Sequence, residues 1–471
     1  MNKSPQGQLV RTLGLASAFF LVISSVIGSG VYKKVAPMAE ALQSPGLVLL
    51  AWLLGGLLTL IGTLSNAEVA SMLADSGGEF VYYKKIFNRF FAFLYGWANF
   101  TAIRTASVAS IAYVFGQSFN SLVTLPHLSA KWESITVLGF LTPFDNLGVK
   151  LLTIALIAVL SYINYIGLKI GEEFSKSILY IVLVSILGII LLGLFSGVGS
   201  WQNIQSHGSN YVERSWTDPI FISAMFTALL SAFWGYEGWS TIGYLGGEIK
   251  DAQRNLPLAL VFGMIAIMVI YLLTNFAYLY VLPIDQLIGH SGNSIAAVTV
   301  IEHILGPVGG IFISLLILLT TLGCTNTTIL ASPRLFYAMA KEGLFFKSAQ
   351  EVHPQHHTPT KALIFQGVWS GVLVMSGSFD QLTDMLIFAS FIFYGSTALG
   401  VFVLRIKMPD APRPYKAWGY PVLPALFILF CIVLLVVSFI SKPREALMGL
   451  TLMASGVPFY FYWKDRKPVS H

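Results

Sequence analysis

From residue 12 to residue 463 the chain is a succession of apolar windows, each long enough to cross a bilayer and joined to the next by a short loop. They run at about 12–42, 45–73, 90–120, 148–168, 176–198, 217–247, 256–281, 307–339, 360–377, 381–405, 421–440 and 444–463. A spanning helix needs about 20 predominantly apolar residues, so the pattern predicts an all-α polytopic membrane protein with twelve transmembrane helices. Only 11% of the 471 residues are charged, against roughly 25% in a soluble domain, too few to coat water-soluble domains of this total length. That excludes a cytosolic enzyme. The longest loops, 121–147 and 341–359, carry too little sequence for a separate domain. The whole of 1–471 therefore reads as one membrane domain.

A net charge of +6 raises the question of nucleic acid, and clustering answers it. With twelve spans, most of the 28 basic residues, among them Arg11, Lys84, Lys85, Arg254, Lys341 and Lys416, fall on the side of the N-terminus. Lys131, Arg214 and Lys442 are among the few on the other side. The positive-inside bias predicts an inner (cell) membrane location with both termini cytoplasmic, and the bilayer rather than nucleic acid as the partner. Cys324 and Cys431 lie in apolar runs, where they staple no loops. Residues 12–27 imitate a signal peptide, but Ala16-Ser17-Ala18 precedes the apolar run instead of following it, so this segment reads as a retained first helix.

Two windows are interrupted. The first holds Gly28-Ser29-Gly30 near its middle and the sixth holds Gly235-Tyr236-Glu237-Gly238. Glycine costs a helix interior about 1 kcal/mol relative to alanine, so local unwinding is cheap at both. Close packing through small residues would explain one such pair. Recurrence five spans apart is instead what an inverted five-plus-five repeat predicts, with discontinuous helices 1 and 6 meeting at a central site. A half-helix starting near Ser29 would aim free amides and its positive dipole end inward, suiting a carboxylate. Half-helices ending near Val26 and Trp234 would leave carbonyls for an ammonium group. A zwitterionic α-amino acid is matched by such backbone without fixed charge.

These residues carry a resemblance. Ile27-Gly28-Ser29-Gly30-Val31, Ser76-Gly77-Gly78-Glu79, Ile103-Arg104-Thr105-Ala106-Ser107, Trp234 to Trp239 with Arg254-Asn255-Leu256-Pro257, Ser332 to Phe336 with Glu342-Gly343, and Leu404-Arg405 to Arg413-Pro414 occur in order. In this the chain resembles the L-type amino acid transporters of the amino acid, polyamine and organocation superfamily. The resemblance implies a LeuT-like fold, with repeats at 12–198 and 217–405 and two extra helices at 421–463. It also implies a substrate site at Val26, Ile27, Ser29, Gly30, Trp234, Gly235 and Glu237. The amides of Ser29 and Gly30 would take the carboxylate, the carbonyls of Val26, Trp234 and Glu237 the amine, and Trp234 would be the gate. Secondary transport of neutral L-amino acids by exchange or coupled uptake follows as the expectation. A proton-coupled importer of cationic amino acids or polyamines is the alternative, and a receptor or channel is the reading from a different class.

Ionisable residues within spans are functional candidates. Glu237 fits a substrate or proton role and structural pairing equally well. Arg104 is expected to hydrogen-bond helix ends. Lys33 and Lys34 either snorkel outward or pair with Glu237. Asn326, in the eighth window, could reach the first. Aligned with the family pattern, Val182 stands where many members carry a lysine in place of sodium, and Lys176 falls two turns earlier. Glu302 and His303 are too few for a metal site, and no cofactor is expected. Eukaryotic relatives join a heavy chain through an outer-loop cysteine; this chain has none, so no disulfide-linked heavy chain is expected.

Overall fold

The computed structural model describes residues 11–137, 142–288, 295–377 and 379–466. The first window folds as α1 (Leu15–Val26), α2 (Gly30–Lys33) and α3 (Val35–Leu42). Pro45 opens α4 (Pro45–Leu73), a residue whose missing amide and fixed φ suit the first helical position. Two short helices, α5 (Glu79–Ile86) and α6 (Arg89–Ala98), lead into a π-helical turn at Asn99–Ile103 and α7 (Arg104–Leu122). Then come α8 (Leu147–Ile166), α9 (Leu168–Phe195) and α10 (Pro219–Tyr236). The Asp218 side chain caps α10 by accepting from the Ile220 amide at 2.8 Å.

After α10 the chain winds through a 3-10 turn, Trp239–Tyr244, to α11 (Ala252–Val281). There follow α12 (Pro307–Ala331) and α13 (Pro333–Lys341), separated at Ser332 where Pro333 withholds an amide from the ladder. The chain continues through α14 (Thr360–Ser376), α15 (Phe379–Lys407), α16 (Val422–Ser441), α17 (Pro443–Ala454) and α18 (Gly456–Trp463).

Among the described residues nine helices are long and apolar enough to cross a membrane. The windows at 90–120, 360–377 and 444–463 are not among them, each for a local reason. The first carries Asn99, Arg104, Ser107, Ser110 and Gln117 and is too polar, the second makes a helix of 17 residues, and the third falls short in apolar character. In the core, α4 lies along α11, α1 packs against α11 and α12, and α7 is wedged between α12 and α14. Trp52 of α4 meets the rings of Tyr236 and Tyr271 edge to face at 5.7 and 5.4 Å. This aromatic wall stands directly behind the end of α10.

Candidate functional site

The interruption in the first window is where the glycines put it. Helix α1 stops at Val26, Ile27 leaves the helical region, and Ser29 precedes α2. In the sixth window the helix persists two residues beyond Trp234, to Tyr236, with Glu237 in extended conformation after it. The following half is a 3-10 turn rather than an α-helix. Gly238 reverses the chain at φ +108°, and a Cβ there would also strike the Ser25 carbonyl, so glycine is required on both counts.

The two interruptions touch. A Cβ added to Gly30 would lie 2.5 Å from the Gly235 Cα, backbone against backbone. Ser25 Oγ donates towards the carbonyls of Val22 at 2.8 Å and Gly238 at 3.2 Å. The Tyr271 hydroxyl lies 3.0 Å from the Val26 carbonyl and 2.9 Å from that of Gly235, so a single proton serves one carbonyl from each break in turn. Between them is a cavity of about 10 Å³ bounded by Ser25, Ser29, Ser107, Ile111, Trp234 and Cys324, among others, room for roughly one water.

Donors outnumber acceptors around this cavity. Among the described residues the amides of Gly28, Ser29 and Gly30 have no protein acceptor. Ser29 Oγ and Trp234 Nε1 are buried without partners. An unsatisfied buried polar group costs about 1–3 kcal/mol, so such a concentration calls for a ligand rich in acceptors. Above the site Trp234 meets Phe379 edge to face at 5.5 Å, and the ammonium groups of Lys33 and Lys34 sit 4.5 and 5.0 Å from the Phe379 ring centre. Below it, Arg334 Nε donates to Glu248 Oε1 at 2.8 Å, both side chains fully buried.

With this geometry in place, the likeness to known proteins has a structural context. The profile of the amino acid permease family matches residues 13–457. The chain belongs to the amino acid permease family. It is 30% identical over 463 residues to the serine/threonine exchanger SteT of Bacillus subtilis, covering 98% of each chain. It is 28% identical to the human b(0,+)-type amino acid transporter 1, over 98% of this chain and 89% of that one. To the human large neutral amino acids transporter small subunit 2 it is 29% identical, over 97% and 82%. The permease is thus a multi-pass membrane transporter of amino acids and not an enzyme.

In the permease, Glu237 is paired with neither lysine. Its carboxylate accepts from the Tyr394 hydroxyl at 2.8 and 2.9 Å and faces Arg104 Nη1 at 3.4 Å. Lys33 reaches across to Gln117 Oε1 at 3.1 Å. Arg104 does not cap helix ends as expected. It holds side chains of the unwound segment, donating to Ser240 Oγ at 2.8 Å and the Tyr244 hydroxyl at 3.2 Å. The π turn just before Arg104 adds a residue to the helical repeat, which resets the face that α7 presents from Arg104 onward.

Asn326 also has a different partner from the one expected. It joins α8 and α9, accepting from Asn164 Nδ2 at 2.7 Å and donating to Gly171 O at 3.0 Å and Ser175 Oγ at 2.8 Å. Its neighbours reach α1: Thr327 Oγ1 meets Ser24 Oγ at 2.9 Å and Ser175 Oγ at 3.0 Å, and Cys324 Sγ lies 3.3 Å from Ser25 O. Val182 is buried, and Lys176 donates to Ser17 Oγ of α1 at 2.9 Å.

Sequence reasoning missed Tyr271 and the polar chain that continues from Arg104. The Tyr244 hydroxyl meets that of Tyr95 at 2.7 Å, and Tyr95 donates to Glu79 Oε2 at 3.1 Å, while Asn66 Nδ2 donates to Glu79 Oε1 at 3.2 Å. Burial pushes the Glu79 carboxyl above the usual carboxylate range, against the pull of Arg104. The Ser76-Gly77-Gly78-Glu79 stretch was the one available signal for this chain.

Proposed function

We propose that this permease moves neutral L-amino acids across the cell membrane by alternating access, as an exchanger or coupled symporter. The observation that carries the reading is the set of unpartnered donors at the first break, opposite the carbonyls of both breaks. The amides of Ser29 and Gly30 take the carboxylate, helped by Ser29 Oγ. The carbonyls of Val26, Trp234 and Glu237 take the ammonium group, and Ile27 and Gly235 shape the floor. Trp234, seated on Phe379, is the gate. Because the cavity holds about one water, the gate must lift before substrate enters.

The neutral reading is favoured over the cationic one by the surroundings of Glu237. Its charge already faces Arg104 and the Tyr394 hydroxyl, so it offers no spare anion for a cationic side chain. The name of the serine/threonine exchanger agrees with a small zwitterionic substrate. We further propose twelve spans in a LeuT-like arrangement, with repeats at 12–198 and 217–405, extra helices at 421–463 and both termini in the cytoplasm. The three windows left out of the nine long helices are less apolar or shorter spans in this reading. Cys324 and Cys431 are buried within helices α12 and α16, and we propose that no heavy chain is joined to this carrier by a disulfide.

Purified protein in liposomes loaded with serine or leucine should take up labelled neutral amino acid against that internal pool. Absence of counterflow for every neutral substrate overturns the reading. Uptake blocked by arginine, lysine or putrescine and untouched by serine or leucine moves it to the cationic alternative. Flux without counterflow indicates a pore.

A further inference from the structure

The last helix ends beside a pocket that the transport reading does not use. Between α18 and the segment following α13 lies a cavity of about 410 Å³, lined by Phe346, Lys347, Phe459, Tyr462, Trp463 and Arg466 among others. Its interior is aromatic. Phe346 and Trp463 meet edge to face at 5.3 Å, and Trp463 lies 5.5 Å from Phe459. Trp463 is buried, but Phe346, Phe459 and Tyr462 stay exposed at 41%, 39% and 71%. Among the described residues nothing covers them.

The lip of this pocket is cationic. Lys347 and Arg466 line it, the Arg466 guanidinium lying 4.9 Å from the Tyr462 ring centre, and among the described residues no carboxylate lines it. Its walls are fixed to each other by Arg89. That guanidinium donates to the carbonyls of Lys464 at 2.6 Å and Arg466 at 3.0 Å on one wall, and of Glu342 at 2.6 Å on the other. Tryptophan and tyrosine at the end of a spanning helix mark the headgroup level. Basic pockets at that level recognise anionic headgroups. An apolar groove, two cations on its rim and a pre-braced frame together match a phosphodiester joined to an acyl chain.

We propose that this pocket binds an anionic phospholipid, with its phosphodiester between Lys347 and Arg466 and an acyl chain along Phe346 and Phe459. The bound lipid bridges α18 to the segment that leaves α13. The site stands on its own chemistry and does not depend on which amino acid is carried.

The test uses the full chain in nanodiscs of phosphatidylcholine with phosphatidylglycerol as the minor lipid, followed by native mass spectrometry of the lipids retained in detergent. Wild type should hold about one phosphatidylglycerol more than the Lys347→Gln/Arg466→Gln double variant. Each basic residue near the surface contributes about fivefold, so the pair weakens binding roughly thirtyfold. Lys131→Gln, an exposed lysine far from this pocket in the chain, should retain lipid as wild type does. Equal phosphatidylglycerol in the double variant overturns the proposal. So does phosphatidylcholine held as tightly as phosphatidylglycerol, which makes the pocket a non-selective groove. A lipid-stripped dimer abolished by the same two substitutions overturns it in favour of a second copy.

Discussion

Replacing Arg104 with leucine should damage this protein more than replacing both Arg104 and Glu237. Arg104 is 2% and Glu237 7% exposed, so neither charge is relieved by water. With Arg104→Leu, Glu237 keeps the Tyr394 hydroxyl but loses its counter-charge, while Ser240 and Tyr244 lose a donor. Breaking one side of a buried pair costs about 3–5 kcal/mol. Unfolding entropy of about 2.1 cal/mol/K per residue near 60 °C over 471 residues makes roughly 1 kcal/mol equal to one degree. Arg104→Leu should therefore lower Tm by about 3–5 °C. Glu237→Gln keeps the shape of the carboxylate and leaves Arg104 its two hydroxyl acceptors, so its cost is smaller. The double variant should recover about 1–3 °C relative to the sum of the singles. Cys324 and Cys431, both free and buried, supply the assay, since a thiol-reactive fluorophore labels them as the fold opens. Strict additivity of the three shifts would refute the pairing. In liposomes, Glu237→Gln should retain counterflow of neutral amino acids; its loss in a folded variant would put Glu237 in contact with substrate.

Gly30→Ala forces the two breaks apart, because its Cβ would lie 2.5 Å from the Gly235 Cα; overpacking of this kind costs about 1–3 kcal/mol, and substrate affinity by scintillation proximity should fall at least tenfold. Tyr271→Phe releases the carbonyls of Val26 and Gly235 from competition worth about 0.5–1.5 kcal/mol, so affinity should rise about two- to tenfold, and an unchanged affinity would mean that the hydroxyl does not compete with substrate. Arg334→Gln leaves Glu248 buried without its cation and should accelerate labelling of Cys324 by a small thiol reagent from the Glu248 side, with unaltered labelling counting against a gate. Glu79 has its folded pKa raised by burial, so its contribution to stability is fully present below the unfolded pKa and is lost as pH rises through the folded one. Wild-type Tm should accordingly decline as pH rises above the usual carboxylate range, and the decline should be shallower in Glu79→Gln.

The interruptions were legible because each carries a local cost that sequence shows directly: two glycines in three residues at Gly28 and Gly30, and two in four at Gly235 and Gly238. Their partners were not legible. Arg104 faces Glu237 across 133 positions, and the π turn ahead of it shifts its side by an amount that ordinary helical periodicity does not contain. Asn326 was expected to reach the first window, but which neighbouring helix a residue touches depends on rotation about the helix axis, and the rotation here turns Thr327 and Cys324 towards α1 instead. Tyr271 is one of 20 tyrosines in an apolar run with no motif around it. Its position becomes visible only when both breaks are folded against it. The window 90–120 stands outside the nine long apolar helices for the opposite reason: α7 is buried on nearly all sides, so it can be polar, holding Ser107, Ser110 and Ser118 in its interior.

The two halves of the site differ in how they are satisfied when empty, and that difference bears on why such a carrier would exchange. Of the carbonyls proposed for the ammonium group, that of Val26 accepts from the Tyr271 hydroxyl and that of Trp234 from the Glu237 amide, so the ammonium half has resident substitutes. The amides of Gly28, Ser29 and Gly30, with Ser29 Oγ, have none among the described residues, so the carboxylate half is left in deficit. A substrate carboxylate therefore gains the full desolvation cost of those donors, about 1–3 kcal/mol for each, while its ammonium group only replaces an existing bond. Recognition should then weigh heavily on the carboxylate, and decarboxylated amines should compete poorly even when their side chain fits. The same imbalance penalises the closed empty protein relative to the closed loaded one. A carrier that crosses its closed state more readily with substrate than without returns loaded, so the backbone chemistry of the proposed site favours the exchanger over the coupled symporter.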